Sequence, residues 1–425
     1  MNSLMITDAT ILTMDRTSNI FFDCDILVEN GIITAIGKKL VHPKGVEILW
    51  ANGAIVMPGL VNAHTHLAMA YFRSFAAGQP LEQWLRRIFS VEARMTEEQM
   101  YYGAAVACIE ALESGTTCVN DMYLGIQGTP AACADSGIRA YLSLSACDAA
   151  GGIQMQIERM KKMYERWNGA CEGRIKVMLA AHAEYTCSEE LLKACRSLAL
   201  QWKCALNIHL SETEKEVNAC RERHCGLSPV AWLEKSGIFE GRTIAAHCVW
   251  IDENDGRIIK RNNCYPVHNP ISNLKLGSGV APIPEMLAVG INPALGTDGN
   301  GSNDNLDMFR EMSMTAVLHN GIQRNALALT AQQVIHMATC SGAEALGYHG
   351  GILEEGAVAD IIVLNSPKFA PMHDPYALIA YSASAGCVRY TIVNGRVVVK
   401  NGVCVTMDRE RIYRQFRRCS RELFQ

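Results

Sequence analysis

Between residues 58 and 298 the chain alternates short apolar runs with longer helical stretches, and this alternation restricts the fold more than any other feature. Strand patterns fall at 61–66, 116–120, 139–143, 175–182, 205–209, 243–247, 265–268 and 292–298. Helical patterns lie between them, at 95–114 with Gly115 as a stop, at 154–167, and after Ser188-Glu-Glu, which reads as an N-cap. Eight strands alternating with helices predict a (β/α)8 TIM-like barrel over 58–350. The two flanks read differently. Short strands at 4–7, 11–14, 26–29, 32–36 and 47–50 are matched by others at 360–364, 388–393 and 396–400, the last two joined by Asn394-Gly395. The flanks, 1–57 and 351–425, are expected to form one small β-sandwich domain from both chain termini.

Within this frame the polar residues are not scattered. His64 and His66 sit on one face of the first strand, because alternate side chains share a face. Two imidazoles do not close a catalytic zinc site, which takes about three protein ligands and an open position. The rest of the chain must supply more. His182, His209 and His247 end the fourth, fifth and sixth strands, and Asp298 ends the eighth. Active sites of such barrels lie at the C-terminal ends of the strands. Five of the 12 histidines at those ends make a metal site the better reading, although any one alone would pass as a core or surface histidine.

Composition narrows the class. The chain has 425 residues, 49% hydrophobic and 19% charged, with net charge −4, so nothing favours nucleic acid as a partner. No run is long and apolar enough to span a membrane, and the start lacks the pattern of a signal peptide. Seventeen cysteines, an odd number without a Cys-X-X-Cys pair, argue against disulfides and cysteine zinc clusters. A soluble, cytoplasmic enzyme with a small-molecule substrate is expected.

Five motifs in order carry a resemblance: Pro58-Gly-Leu-Val-Asn-Ala-His-Thr-His66, His209-Leu-Ser-Glu212, Ala246-His-Cys248, Val267-His-Asn-Pro-Ile-Ser-Asn273 and Leu295-Gly-Thr-Asp-Gly299. Together they resemble the amidohydrolase superfamily, in its aminohydrolase branch of adenosine-type, cytosine and guanine deaminases. The phrases starting at Ser272 and Ser302 are similar to its S-adenosylhomocysteine/5′-methylthioadenosine deaminase subgroup. The resemblance implies one divalent metal ion, most often Zn²⁺ with Fe²⁺ or Mn²⁺ as alternatives, on His64, His66, His209 and Asp298. It implies that His247 polarises the attacking water and that Glu212 shuttles protons, with Asp298 also taking a proton. Metal-bound hydroxide then displaces an exocyclic amine as ammonia. Where binuclear relatives carry a lysine at the end of strand four, this chain has His182.

The same resemblance points to Trp84, Glu92 and His182 as substrate contacts, Glu92 toward ribose hydroxyls. A helix-start charge explains Glu92 equally well, and lid packing explains Trp84. The 84–92 span is one residue short of the pattern, and a second arginine expected after the 139–143 strand is absent. A 5′-modified adenosine (5′-methylthioadenosine, S-adenosylhomocysteine or a relative) is the expected substrate. Guanine, a pterin, a cytosine-like ring, triazine-type hydrolysis and a non-catalytic scaffold are the alternatives. A homo-oligomer, dimer or tetramer, is expected.

Overall fold

A computed structural model describes residues 3–425. The N-terminal strands are β1 (Ser3–Leu12), β2 (Ile20–Glu29), β3 (Ile32–Gly37), β4 (Glu47–Trp50) and β5 (Ile55–Pro58). The barrel strands follow as β6 (Leu60–Thr65), β7 (Thr116–Tyr123), β8 (Arg139–Ala146), β9 (Ile175–Ala183), β10 (Leu206–Leu210), β11 (Thr243–His247), β12 (Cys264–His268) and β13 (Ala294–Leu295). Near the C-terminus lie β14 (Ile361–Leu364), β15 (Val388–Val393), β16 (Arg396–Lys400) and β17 (Val403–Cys404).

Strands β6 to β13 pair in sequence order, all parallel, as one eight-stranded sheet. Side-chain and backbone hydrogen bonds close its seam. Asn62 Nδ2 donates to Thr297 Oγ1 at 2.7 Å, Thr297 N donates to Asn62 Oδ1 at 3.0 Å, and Asp298 N donates to His64 O at 3.0 Å. The interior is filled by inward residues of successive strands, among them Val61, Cys118, Tyr141, Met178, Ile244 and Val267. The result is a TIM-like barrel whose centre is packed.

The remaining strands form one mixed sheet from both termini, in the order β17-β16-β15-β14-β5-β1-β2-β3. It branches at β1, whose first half pairs with β4 and whose second half pairs with β5. The branch encloses a second core of Leu4, Ile6, Ile26, Val56, Ile361 and Ile392. Two expected strands, 4–7 and 11–14, are one strand with two irregularities in register. The chain does not end in β structure. Residues Arg409–Leu423 form a helix packed on the barrel helix Glu97–Glu113, with Phe416 stacked on Tyr71 at 4.4 Å. All seventeen cysteines are free. Among the described residues no helix is long and apolar enough to cross a membrane.

Candidate active site

Four strand ends bring the polar residues together. His64 lies near the end of β6 and His66 just past it, His209 is in β10, His247 closes β11, and Asp298 lies shortly beyond β13. The His64 ring centroid is 4.8 Å from that of His66, 5.0 Å from His209 and 5.6 Å from His247. Two overlapping trios result: His64, His66 and Asp298, and His64, His209 and His247, each with ligand atoms within 4.8 Å of one another. All five side chains are buried.

Neighbouring groups aim these rings. His66 Nδ1 bonds the carbonyl of Met122 at 2.5 Å, and His209 Nδ1 bonds that of His182 at 2.7 Å. Each bond fixes the tautomer and leaves Nε2 directed inward, as in metal sites whose imidazoles donate to carbonyls. Asp298 has the left-handed φ of +60° and His247 one of +74°, conformations that a non-glycine residue holds only when its surroundings impose them. For Asp298 the imposition is visible. Ser272 Oγ and Ser302 Oγ donate to Oδ2 at 2.7 and 2.8 Å, and Gly299 N donates to Oδ1 at 2.8 Å.

The charges ask for a cation. Burial opposes ionisation of Asp298, but the adjacent imidazoles of His64 and His66 outweigh it and hold the carboxyl well below its usual range. Burial pulls His64 down to about 4, whereas Asp298 outweighs burial at His66 and lifts it to about 9. Without an ion, the buried carboxylate therefore draws a proton onto one imidazole. His64 Nε2 has no hydrogen-bond partner, its distance to Asp298 Oδ1 being 3.5 Å. A divalent cation supplies both the missing charge and the missing partner, so the donor set fits one.

Glu212 overhangs the cluster from the loop after β10, with Oε2 3.7 Å from His247 Nε2 and Oε1 accepting from Ser278 Oγ at 2.9 Å. Burial raises its pKa. The loop is clamped by Glu216, whose carboxylate accepts from the amides of Ser211, Glu212 and Thr213 at 3.0, 2.8 and 3.4 Å. His247 Nδ1 is 2.8 Å from Asn273 Oδ1.

A cavity of about 520 Å³ opens over this floor, lined by His66, His182, His209, Glu212, His247 and Asp298 at one end and by Trp84, Phe89, Met95 and Met100 elsewhere. His182 is part-buried, with Nδ1 2.9 Å from Thr186 Oγ1, and burial pulls its pKa down to about 4, keeping it neutral. Glu92 and Trp84 both belong to the helix Leu81–Glu92. Glu92 is the last residue of that helix, which overturns the helix-start explanation, since the dipole at that end disfavours a carboxylate. Glu92 Oε1 and Trp84 Nε1 are buried without partners. The Trp84 ring also abuts Gly301, in the short helix Asn300–Asn303 after Asp298.

Sequence reasoning missed Ser272, Ser302, Asn273, Ser278 and Glu216 as supports, and Tyr123 and Arg159 as cavity wall. A signal existed for Glu216, because Thr213-Glu-Lys-Glu216 is a capping box.

The sequence model described as "Amidohydrolase family" matches residues 55–398. The chain belongs to the amidohydrolase family. It is 40% identical to a 5′-deoxyadenosine deaminase of Methanosarcina acetivorans, covering 100% of this chain and 99% of that one. It is 39% identical to a 5-methylthioadenosine/S-adenosylhomocysteine deaminase of Caldanaerobacter subterraneus subsp. tengcongensis, covering 97% and 96%. Among solved structures, an adenosine deaminase from Xanthomonas campestris with bound zinc superposes with a TM-score of 0.94 at 28% identity, over 99% of this chain and 98% of that one. Within the family, then, this chain is a hydrolase whose full-length relatives are deaminases.

Proposed function

We propose that the protein is a metal-dependent deaminase of 5′-modified adenosines, with 5′-deoxyadenosine and 5′-methylthioadenosine its first candidates. One observation carries the reading: a buried carboxylate, Glu212, faces the histidine–aspartate cluster across the floor of a nucleoside-sized cavity. The full-length likeness to proteins named for such substrates supports it. His64, His66, His209 and Asp298 would hold a divalent cation, with zinc the first choice, whose Lewis acidity would let water ionise near neutral pH.

The side chains divide the remaining work. Glu212, whose pKa burial raises, gives a proton to the ring nitrogen next to the carbon under attack. Ser278 holds Oε1, which leaves Oε2 as the transferring oxygen on the His247 side. His247, oriented through Nδ1 by Asn273, directs the attacking water with Nε2. Asp298 accepts the proton that water loses. Glu212 takes up the hydroxyl proton as the carbonyl forms and delivers it to the departing amine, and the proton on Asp298 then restores Glu212. The balance is water plus amine in, carbonyl plus ammonia out. Glu92, with Oε1 unpaired, and His182, held through Nδ1 by Thr186, hold the ribose and base from the cavity wall.

Ammonia release should be measured with 5′-deoxyadenosine, 5′-methylthioadenosine, S-adenosylhomocysteine, adenosine, guanine and a pterin. The 5′-modified adenosines are expected to show the highest kcat/KM. Preference for guanine or pterin, or no ammonia from any adenosine, overturns the reading.

A further inference from the structure

Away from the cavity, a second set of ligand-capable side chains converges. Glu184, in the turn Glu184–Thr186 after β9, faces Cys220 and His224 at the end of the helix Glu214–Arg223. One ligand atom of each lies within 4.8 Å of the others. None of the three lines the catalytic cavity. Cys220 and His224 are four residues apart, the spacing that puts two side chains on one helical face. The Cys220 side chain is wholly buried and the Glu184 carboxylate nearly so, while the His224 ring is 25% exposed. That ring is held by stacking on Trp232 at 4.4 Å. Its Nε2 is 2.9 Å from Glu184 Oε1, and Arg223 Nη2 donates to Oε2 at 2.6 Å.

We propose that Glu184, Cys220 and His224 form a second divalent-cation site, suited to a thiophilic ion such as Zn²⁺ and separate from the catalytic cluster. Thiolate, imidazole and carboxylate are three ligand types zinc accepts, and the exposed His224 side leaves a fourth position for water. The exchange balances. The Cys220 thiol loses its proton to solvent and becomes the sulfur ligand. The His224 proton moves from Nε2 to Nδ1, freeing the Nε2 lone pair. Glu184 trades its Oε1 hydrogen bond to His224 for the ion and keeps Arg223 on Oε2. One cation enters and one proton leaves. Because Arg223 already offsets the Glu184 charge, the empty cluster is a satisfied ion pair, and the site fills or empties with ion supply. Filled, it ties the turn after His182 to the helix that follows Glu212.

The test is equilibrium dialysis of the full-length, metal-loaded protein against micromolar Zn²⁺, with bound metal counted per chain. Wild type and Cys225→Ser, which removes the exposed neighbouring thiol, are expected to bind one more ion than Cys220→Ser or His224→Ala. With Co²⁺, a thiolate-to-metal charge-transfer band should be present in wild type and absent in Cys220→Ser. His224 is partly exposed, so His224→Ala carries the test should the buried Cys220→Ser variant fail to fold. Equal ion counts in wild type and His224→Ala, or loss of the extra ion in Cys225→Ser, overturn the proposal.

Discussion

At the scale of single residues, protonation separates two of the cavity's carboxylates, Glu212 and Glu92. Glu212 transfers protons, so Glu212→Gln, which keeps the shape, should retain the metal and lose about 10²–10⁴-fold in kcat. Metal analysis beside steady-state kinetics checks this, and near-normal turnover removes Glu212 from its role. Glu92 is instead a binding group, and Glu92→Gln should raise KM more than it lowers kcat. Glu92 also makes stability depend on pH. Burial raises its folded pKa to about 7, against 4.5 for an ordinary glutamate. The folded chain thus holds this proton where the unfolded chain has released it, and stability falls as pH rises from about 4.5 to about 7. Replacing Glu92 by Gln removes that loss, a gain of at most about 3 kcal/mol near pH 8 and almost none near pH 4. Denaturant unfolding at the two pH values measures it, and an equal change at both would show that Glu92 is not the titrating group. The pair His64 and His66 was legible in the sequence because strand periodicity forces both onto one face. Ser272 and Ser302 were not, because their task is a contact with Asp298 that only the closed barrel creates.

At the scale of elements, helix ends and loops set the chemistry. The eight barrel strands were legible to within a few residues, because buried parallel strands are continuous apolar runs closed by polar residues. The cap at Ser188 was legible too, its hydroxyl accepting from Leu191 N. The C-terminal helix was missed although Ile412, Phe416, Cys419 and Leu423 recur at helical spacing, because the strands before it suggested that the tail continues as β structure. A more consequential miss is the capping box of Thr213 and Glu216. Its glutamate both caps the helix Glu214–Arg223 and binds the three amides of the loop that carries Glu212. Glu216→Ala leaves those buried donors unpaired, at a cost of about 1–3 kcal/mol. It should lower kcat through misplacement of Glu212 while leaving the metal content unchanged. Loss of stability with kcat intact would show that the loop keeps its shape without the clamp.

At the scale of the whole molecule, the two ends of the barrel are put to different uses. The metal-competent cluster sits where strands finish. The terminal sheet docks where they start, with Gly59 N donating to Asp360 O and Thr391 Oγ1 donating to Leu112 O. Between the two lies one fully buried ion pair, Arg139 Nε to Asp360 Oδ2 at 2.6 Å, with Arg139 6% and Asp360 1% exposed. Burial opposes the Arg139 charge, but Asp360 overcomes that opposition and raises the pKa. Asp360 also accepts from Asn394 N at 2.7 Å, so the hairpin turn between β15 and β16 hangs on the same carboxylate. Docking through one buried pair predicts an asymmetry. Arg139→Met leaves Asp360 charged and unpaired in the interior, which costs about 3–5 kcal/mol. The double variant Arg139→Met/Asp360→Leu removes both charges and should recover much of that loss. Because the pair is remote from the strand ends, KM should stay unchanged in whatever fraction folds. Thermal unfolding of the three proteins decides the matter: a single variant within about 1 kcal/mol of wild type would show that the terminal sheet is held by its apolar contacts alone.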